Sequence, residues 1–115
     1  AQTLARRAWQ LLHVDSARAI ALADKALAAA LAHGDRLGEG WARLARGFHL
    51  LYFARPRDTA PELKAARRCF DAQDERAGHV LARTGLARAL WREGRFDAAL
   101  DAVLALRDEG LQVLR

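Results

Sequence analysis

Apolar positions recur along this chain at helical spacing, not at the alternation a strand would need. Leu4, Ala8, Leu11 and Leu12 share one face of a segment over 4–13, the recurrence expected of an amphipathic helix. Asp15-Ser16 then gives an N-cap signal, with Ser16 at the expected cap. A second helix follows over 17–32, with Ile20, Ala23, Leu27 and Ala30 on its stripe. Gly34 suits the left-handed position that closes a helix, and Asp35 suits the cap of the next. The third helix runs to about Phe53 and stops at Arg55-Pro56, because the residue before a proline avoids the α region. Thr59-Ala60-Pro61-Glu62 has the spacing of a capping box. It opens a fourth helix that runs to about Ala72, with Leu63, Ala66 and Phe70 apolar. Gln73-Asp74-Glu75 is the next stop and cap, with Asp74 read as the cap. The fifth helix, 76–93, carries Val80, Leu86, Leu90 and Trp91 and ends at Gly94. The sixth begins near Phe96 and carries Ala99, Leu100, Val103 and Leu106. Six helices joined by short turns predict antiparallel hairpins, with 54–60 as the one irregular connection.

Composition sharpens this to an all-α fold. The 115 residues include 27 Ala and 19 Leu against four Val, one Ile and three Thr. The first two favour helices, while β-branched residues favour strands. That length suits a single domain, 1–115, with a real core. The only cysteine is Cys69, so there is no intramolecular disulfide framework and a cytoplasmic setting is expected. No apolar run approaches the roughly 20 residues that span a bilayer, and no apolar signal stretch opens the chain. Met is absent, position 1 included, as expected of a piece of a longer protein.

Nineteen basic residues against 14 acidic give a net charge of +5, and basic domains invite a nucleic-acid reading. Acidic residues are nevertheless interleaved with the arginines throughout, with no block of five or six like charges. Catalytic chemistry is thin. Ser16 sits at a cap, and Cys69 lies beside Phe70 on an amphipathic helix, where cysteine behaves as a small hydrophobe. His13, His33, His49 and His79 show neither i, i+4 pairing nor a cysteine partner at ligand spacing, so no metal site is expected. Gly34, Gly38 and Gly40 lack the Lys-Ser/Thr of a phosphate loop. No catalytic residue and no cofactor are assigned.

Internal repetition is the more informative signal. The caps read at Asp35 and Asp74 each open a two-helix unit, and a helix-pair period of between about 20 and 50 residues marks a helical solenoid. Trp41, Leu44, Ala45 and Phe48 find Leu86, Ala87 and Leu90 in place of the last three, one unit later. Ala19, Ile20 and Ala23 find Ala99, Leu100 and Val103 two units later. With Gly94-Arg95-Phe96-Asp97-Ala98-Ala99-Leu100, these residues make 4–107 resemble the tetratricopeptide repeat family. A longer spacing than that family's, no closing proline and the extended 54–60 connection depart from its pattern. The resemblance implies an αα-superhelix of about three antiparallel helix pairs sharing one apolar seam, Trp41 and Phe96 included.

Such variants resemble those of bacterial signalling proteins, the sensory halves of diguanylate cyclases and large transcriptional activators. They imply a non-catalytic protein-interaction or sensory-regulatory module. In such a stack the first helix of each pair lines a concave groove. The resemblance therefore places Ala42, Arg46, His49 and Leu50 there, with Thr84, Arg88, Trp91 and Arg92 as their counterparts. That groove would be basic and partly aromatic, suited to a protein or an acidic peptide. The chain has no Asn, so a carboxylate clamp built on asparagines is not expected. An apolar end face including Leu111, Val113 and Leu114 would support self-association. An Arg-rich repeat that binds nucleic acid is the alternative.

Overall fold

The computed structural model describes residues 2–53 and 55–110; Leu111, Val113 and Leu114 lie outside them. Its elements are α1 (Gln2–Leu11), α2 (Ser16–His33), α3 (Arg36–Phe53), a 3-10 turn (Pro56–Asp58), α4 (Thr59–Ala72), α5 (Arg76–Arg92) and α6 (Phe96–Asp108). No strand occurs among the described residues. Each helix packs on its successor; in addition α1 touches α3 and α3 touches α5, whereas α2 does not reach α4, nor α4 reach α6. The result is two layers, odd-numbered helices against even-numbered ones. Three antiparallel pairs stack into an αα-superhelix with extents of 38 × 29 × 22 Å.

The helix ends close with recurring hydrogen bonds. Asp15 Oδ1 accepts the Arg18 amide at 3.1 Å and Asp35 Oδ1 that of Gly38 at 3.0 Å, each satisfying an orphan donor. At the C-termini one closing bond recurs. The Asp35, Glu75 and Arg95 amides donate back to the Ala30, Phe70 and Leu90 carbonyls at 2.9, 2.8 and 2.9 Å. This is the six-to-one bond of a Schellman turn. It requires a left-handed residue, supplied by Gly34, Asp74 and Gly94 at φ 65°, 54° and 80°.

Four expectations are corrected. Asp15 is the cap of α2, and Ser16 is its first helical residue. Asp74 occupies the left-handed closing position, so the α5 cap falls to Glu75, whose Oε1 accepts the Ala77 amide at 3.2 Å. The repeat of caps therefore runs from Asp35 to Glu75, one position longer than the spacing read from Asp74. The capping box at Thr59 does not form. Thr59 lies inside α4, fully buried, its hydroxyl without a hydrogen-bond partner, while Glu62 turns to Arg43 and Arg46. Finally, Trp41 is buried at 7% exposure but Phe96 is 53% exposed, so the apolar seam does not run through Phe96.

The core centres on α4. Phe70 and Leu63 project between glycines of both neighbouring helices, Gly40 and Gly47 on α3, Gly78 and Gly85 on α5. A methyl added at Gly47 would stand 2.6 Å from Leu63 Cδ2, and one at Gly85 2.7 Å from Leu63 Cδ1. The glycines thus admit large side chains where alanine would collide. Edge-to-face ring pairs extend the core, Trp41 on Phe70 at 5.1 Å and Trp9 on Phe48 at 4.9 Å. The Arg6 guanidinium covers Trp41 at 4.9 Å, a cation–π contact that shields the ring from water.

Candidate interaction surface

At the α5–α6 end of the stack lies a hollow of about 380 Å³ with mostly apolar walls. Thr84, Ala87, Arg88 and Trp91 of α5 and Ala99, Leu100 and Val103 of α6 line it. Two large apolar side chains on its rim stand open to solvent, Trp91 at 62% and Leu100 at 56%. Trp91 rests edge-on against Phe96, ring centroids 4.6 Å apart. The Thr84 hydroxyl donates to the Val80 carbonyl at 2.8 Å, so this wall residue has its polar hydrogen satisfied within its own helix. Arg88 donates to the Tyr52 hydroxyl at 2.6 Å, and Tyr52 in turn packs on the His13 ring at 5.1 Å. The floor of the hollow is thereby tied to the first two hairpins.

A charged clamp ties α5 to the C-terminal end of α6. Arg83 donates two hydrogen bonds to Glu109, at 2.8 and 2.6 Å, the bidentate geometry that guanidinium and carboxylate share. The hydrogen bond from Arg83 holds the Glu109 carboxyl below the ordinary carboxylate range. Arg83 also lies 3.3 Å from His79 Nε2, and His79 Nδ1 is 2.6 Å from Asp71 Oδ1. A guanidinium only donates, so Nε2 accepts, and Nδ1 carries the proton given to Asp71. Asp71, His79 and Glu109 also wall a second, charged hollow of about 490 Å³ with Asp74, Glu75 and Arg76. Among the described residues no three His, Cys, Asp or Glu side chains are placed to hold a metal ion.

The residues expected in one groove are distributed over two sides of the molecule. Arg46 faces the even-numbered layer, pairing with Asp24 of α2 at 3.3 Å and Glu62 of α4 at 3.5 Å. Beside it Arg43 pairs with Glu39 at 2.8 Å and Glu62 at 3.4 Å. Burial alone would lower the Arg43 pKa, but the two carboxylates raise it. His49 leans on Phe53 at 5.3 Å, Leu50 is half-buried, and Ala42 is wholly enclosed. Arg88 and Trp91 instead line the α5–α6 hollow together with Thr84, and Arg92 is exposed. On α3 the side toward α1 and α5 belongs to Trp41, Phe48 and Tyr52, whose partners are Arg6, Trp9 and Arg88. Their recurrence along α3 was the available signal.

Cys69 is buried, and that burial, aided by the charge of Glu39, pushes its thiol pKa up. A nucleophilic cysteine needs the opposite shift. No helix among the described residues is long and apolar enough to cross a membrane. No family model, curated protein or solved structure matches this chain.

Proposed function

We propose that this chain is a non-catalytic protein-interaction module of tetratricopeptide-repeat type, of the sensory-regulatory kind that accompanies bacterial signalling proteins. One observation carries the reading: Trp91 and Leu100, which line the same apolar hollow between α5 and α6, both stay more than half exposed. Monomers seldom leave such a rimmed apolar surface without a partner for it. Arg92 and Arg95, which follow Trp91 closely in sequence, are exposed, which fits a partner with acidic flanks. Self-association through this end is the other way to cover it.

Nucleic-acid binding is the competing class, favoured only by the basic excess. Arg43, Arg46, Arg67, Arg83 and Arg107 all lie within ion-pair distance of carboxylates. Those charges are partly neutralised within the fold. The discriminating experiment titrates the full chain with duplex DNA over a salt series and records light scattering over a concentration series. The interaction reading expects weak DNA binding and association that Leu100→Glu removes with helicity unchanged by circular dichroism, or else partner binding at the same face. Tight DNA binding that falls steeply with salt, indifferent to Leu100→Glu, would overturn it.

A further inference from the structure

Helices α3 and α5 take their places by one device. Each sits across the hairpin before it, α3 on α1 and α2, α5 on α3 and α4. Each also carries a buried stripe of small residues at i, i+4 and i+7. In α3 these are Gly38, Ala42 and Ala45; at the matching positions of α5 they are Gly78, Ala82 and Gly85. The stripes face the preceding hairpin: Ala45 clusters with Ala8 and Ala23, while Gly78 and Gly85 receive Phe70 and Leu63. The α5–α6 hollow is the next seat in that series. Leu51 on α3 is completely covered, whereas its counterpart Trp91 on α5 is 62% exposed.

We propose that this hollow is the docking seat for one amphipathic α-helix of a partner polypeptide, lying as α5 lies on α3 and α4. The proposal rests on the interaction-module reading and specifies its partner. The seat also sets the guest's sequence pattern. Counting back from the left-handed residues Asp74 and Gly110, α6 offers Ala99 and Leu106 where α4 offers Leu63 and Phe70. With less side chain projecting from the seat, the guest's stripe takes alanines where α5 needs glycines. Among the described helices, the terminal α1 of a second copy is a poor guest. It already turns Ala5 and Ala8 inward, and its exposed face shows Thr3, Arg6, Arg7 and Gln10.

The test titrates the isotope-labelled full chain with an unlabelled synthetic peptide of sequence 76–92 carrying Gly78→Ala and Gly85→Ala, followed by NMR. The Trp91 indole and the Thr84, Ala87 and Leu100 amides are expected to shift together. A control peptide with glutamates at both Ala82→Glu and Gly85→Glu is expected to bind at least about tenfold more weakly, and Leu100→Glu in the protein to cost a similar factor. Equal binding of the two peptides, shifts confined to another face, or no binding at millimolar peptide would overturn the helix seat. If peptide binding fails but light scattering shows association that Leu100→Glu abolishes, the occupant is a second copy; the interaction reading survives and the helix proposal falls. If both fail, both fall.

Discussion

Gly78 and Gly85 reverse the usual arithmetic of glycine in a helix. At an exposed helical site, replacing glycine with alanine gains about 1 kcal/mol. Here the new methyl at Gly78 would overlap the Phe70 ring, and at Gly85 it would stand 2.8 Å from Phe48 Cε2 as well as against Leu63. Overpacking a tight core costs about 1–3 kcal/mol, so Gly78→Ala and Gly85→Ala each lower stability in denaturant unfolding. At Gly40 the nearest ring atom is 3.0 Å away, so Gly40→Ala is the mildest of the three; equal losses at all three sites would contradict this ordering. Thr59 makes the converse case. Its hydroxyl is buried and unpaired, and an unsatisfied buried polar group is costly. Thr59→Val keeps the shape and removes the hydroxyl, so it raises stability by about 1 kcal/mol, seen as a higher unfolding midpoint. A working capping box would lose about that much on the same change.

At the scale of the element, α6 depends on α5 and on one charged latch. Glu109 has its pKa depressed by Arg83, so the latch contributes fully above the ordinary glutamate range and is lost as pH falls through the lowered folded-state value. Amide exchange in the last turn of α6, Leu104–Asp108, is expected to quicken over that window relative to α3. In Glu109→Gln it is already fast relative to α3 at neutral pH, and that ratio does not change with acid. An unchanged acid response in the variant would assign the effect to other carboxylates.

Helix boundaries were legible in the sequence to within a residue or two because caps and stops act locally: Gly34 and Asp35 need only their near neighbours, while Ser16 and Asp74 each stand one position from the true cap. Thr59 misled for the same reason. The residues that follow it fit a capping box, but Glu62 finds a stronger tertiary attraction in Arg43 and Arg46. The groove register is hard to read on α3, whose buried residues, from Trp41 and Ala42 to Phe48 and Leu51, surround most of its circumference. No single apolar stripe then says which side faces which neighbour. The glycines at 40, 47, 78 and 85 were written with the same heptad spacing in both helices, but their meaning lies in Phe70 and Leu63 of a third.

Across the whole molecule the stack has unlike ends. The α1 side is polar, with Arg7 and Gln10 exposed, while the α5–α6 side is apolar. In a repeat stack, stability is nearly a sum over neighbouring contacts. A cavity should therefore be felt in proportion to how many neighbours its helix has. Leu63 and Leu106 are both completely buried, and Leu→Ala at either removes the same atoms, about 2–5 kcal/mol. Yet α4 touches α3 and α5, whereas α6 touches α5 alone among the described helices. Leu106→Ala is expected to strip hydrogen-exchange protection from α6 and the adjoining face of α5 while α1–α3 keep theirs. Leu63→Ala should lower protection along α3, α4 and α5 together. If both variants lost protection uniformly from α1 to α6, the six helices would unfold as one cooperative unit, and a nearest-neighbour description of this stack would be untenable.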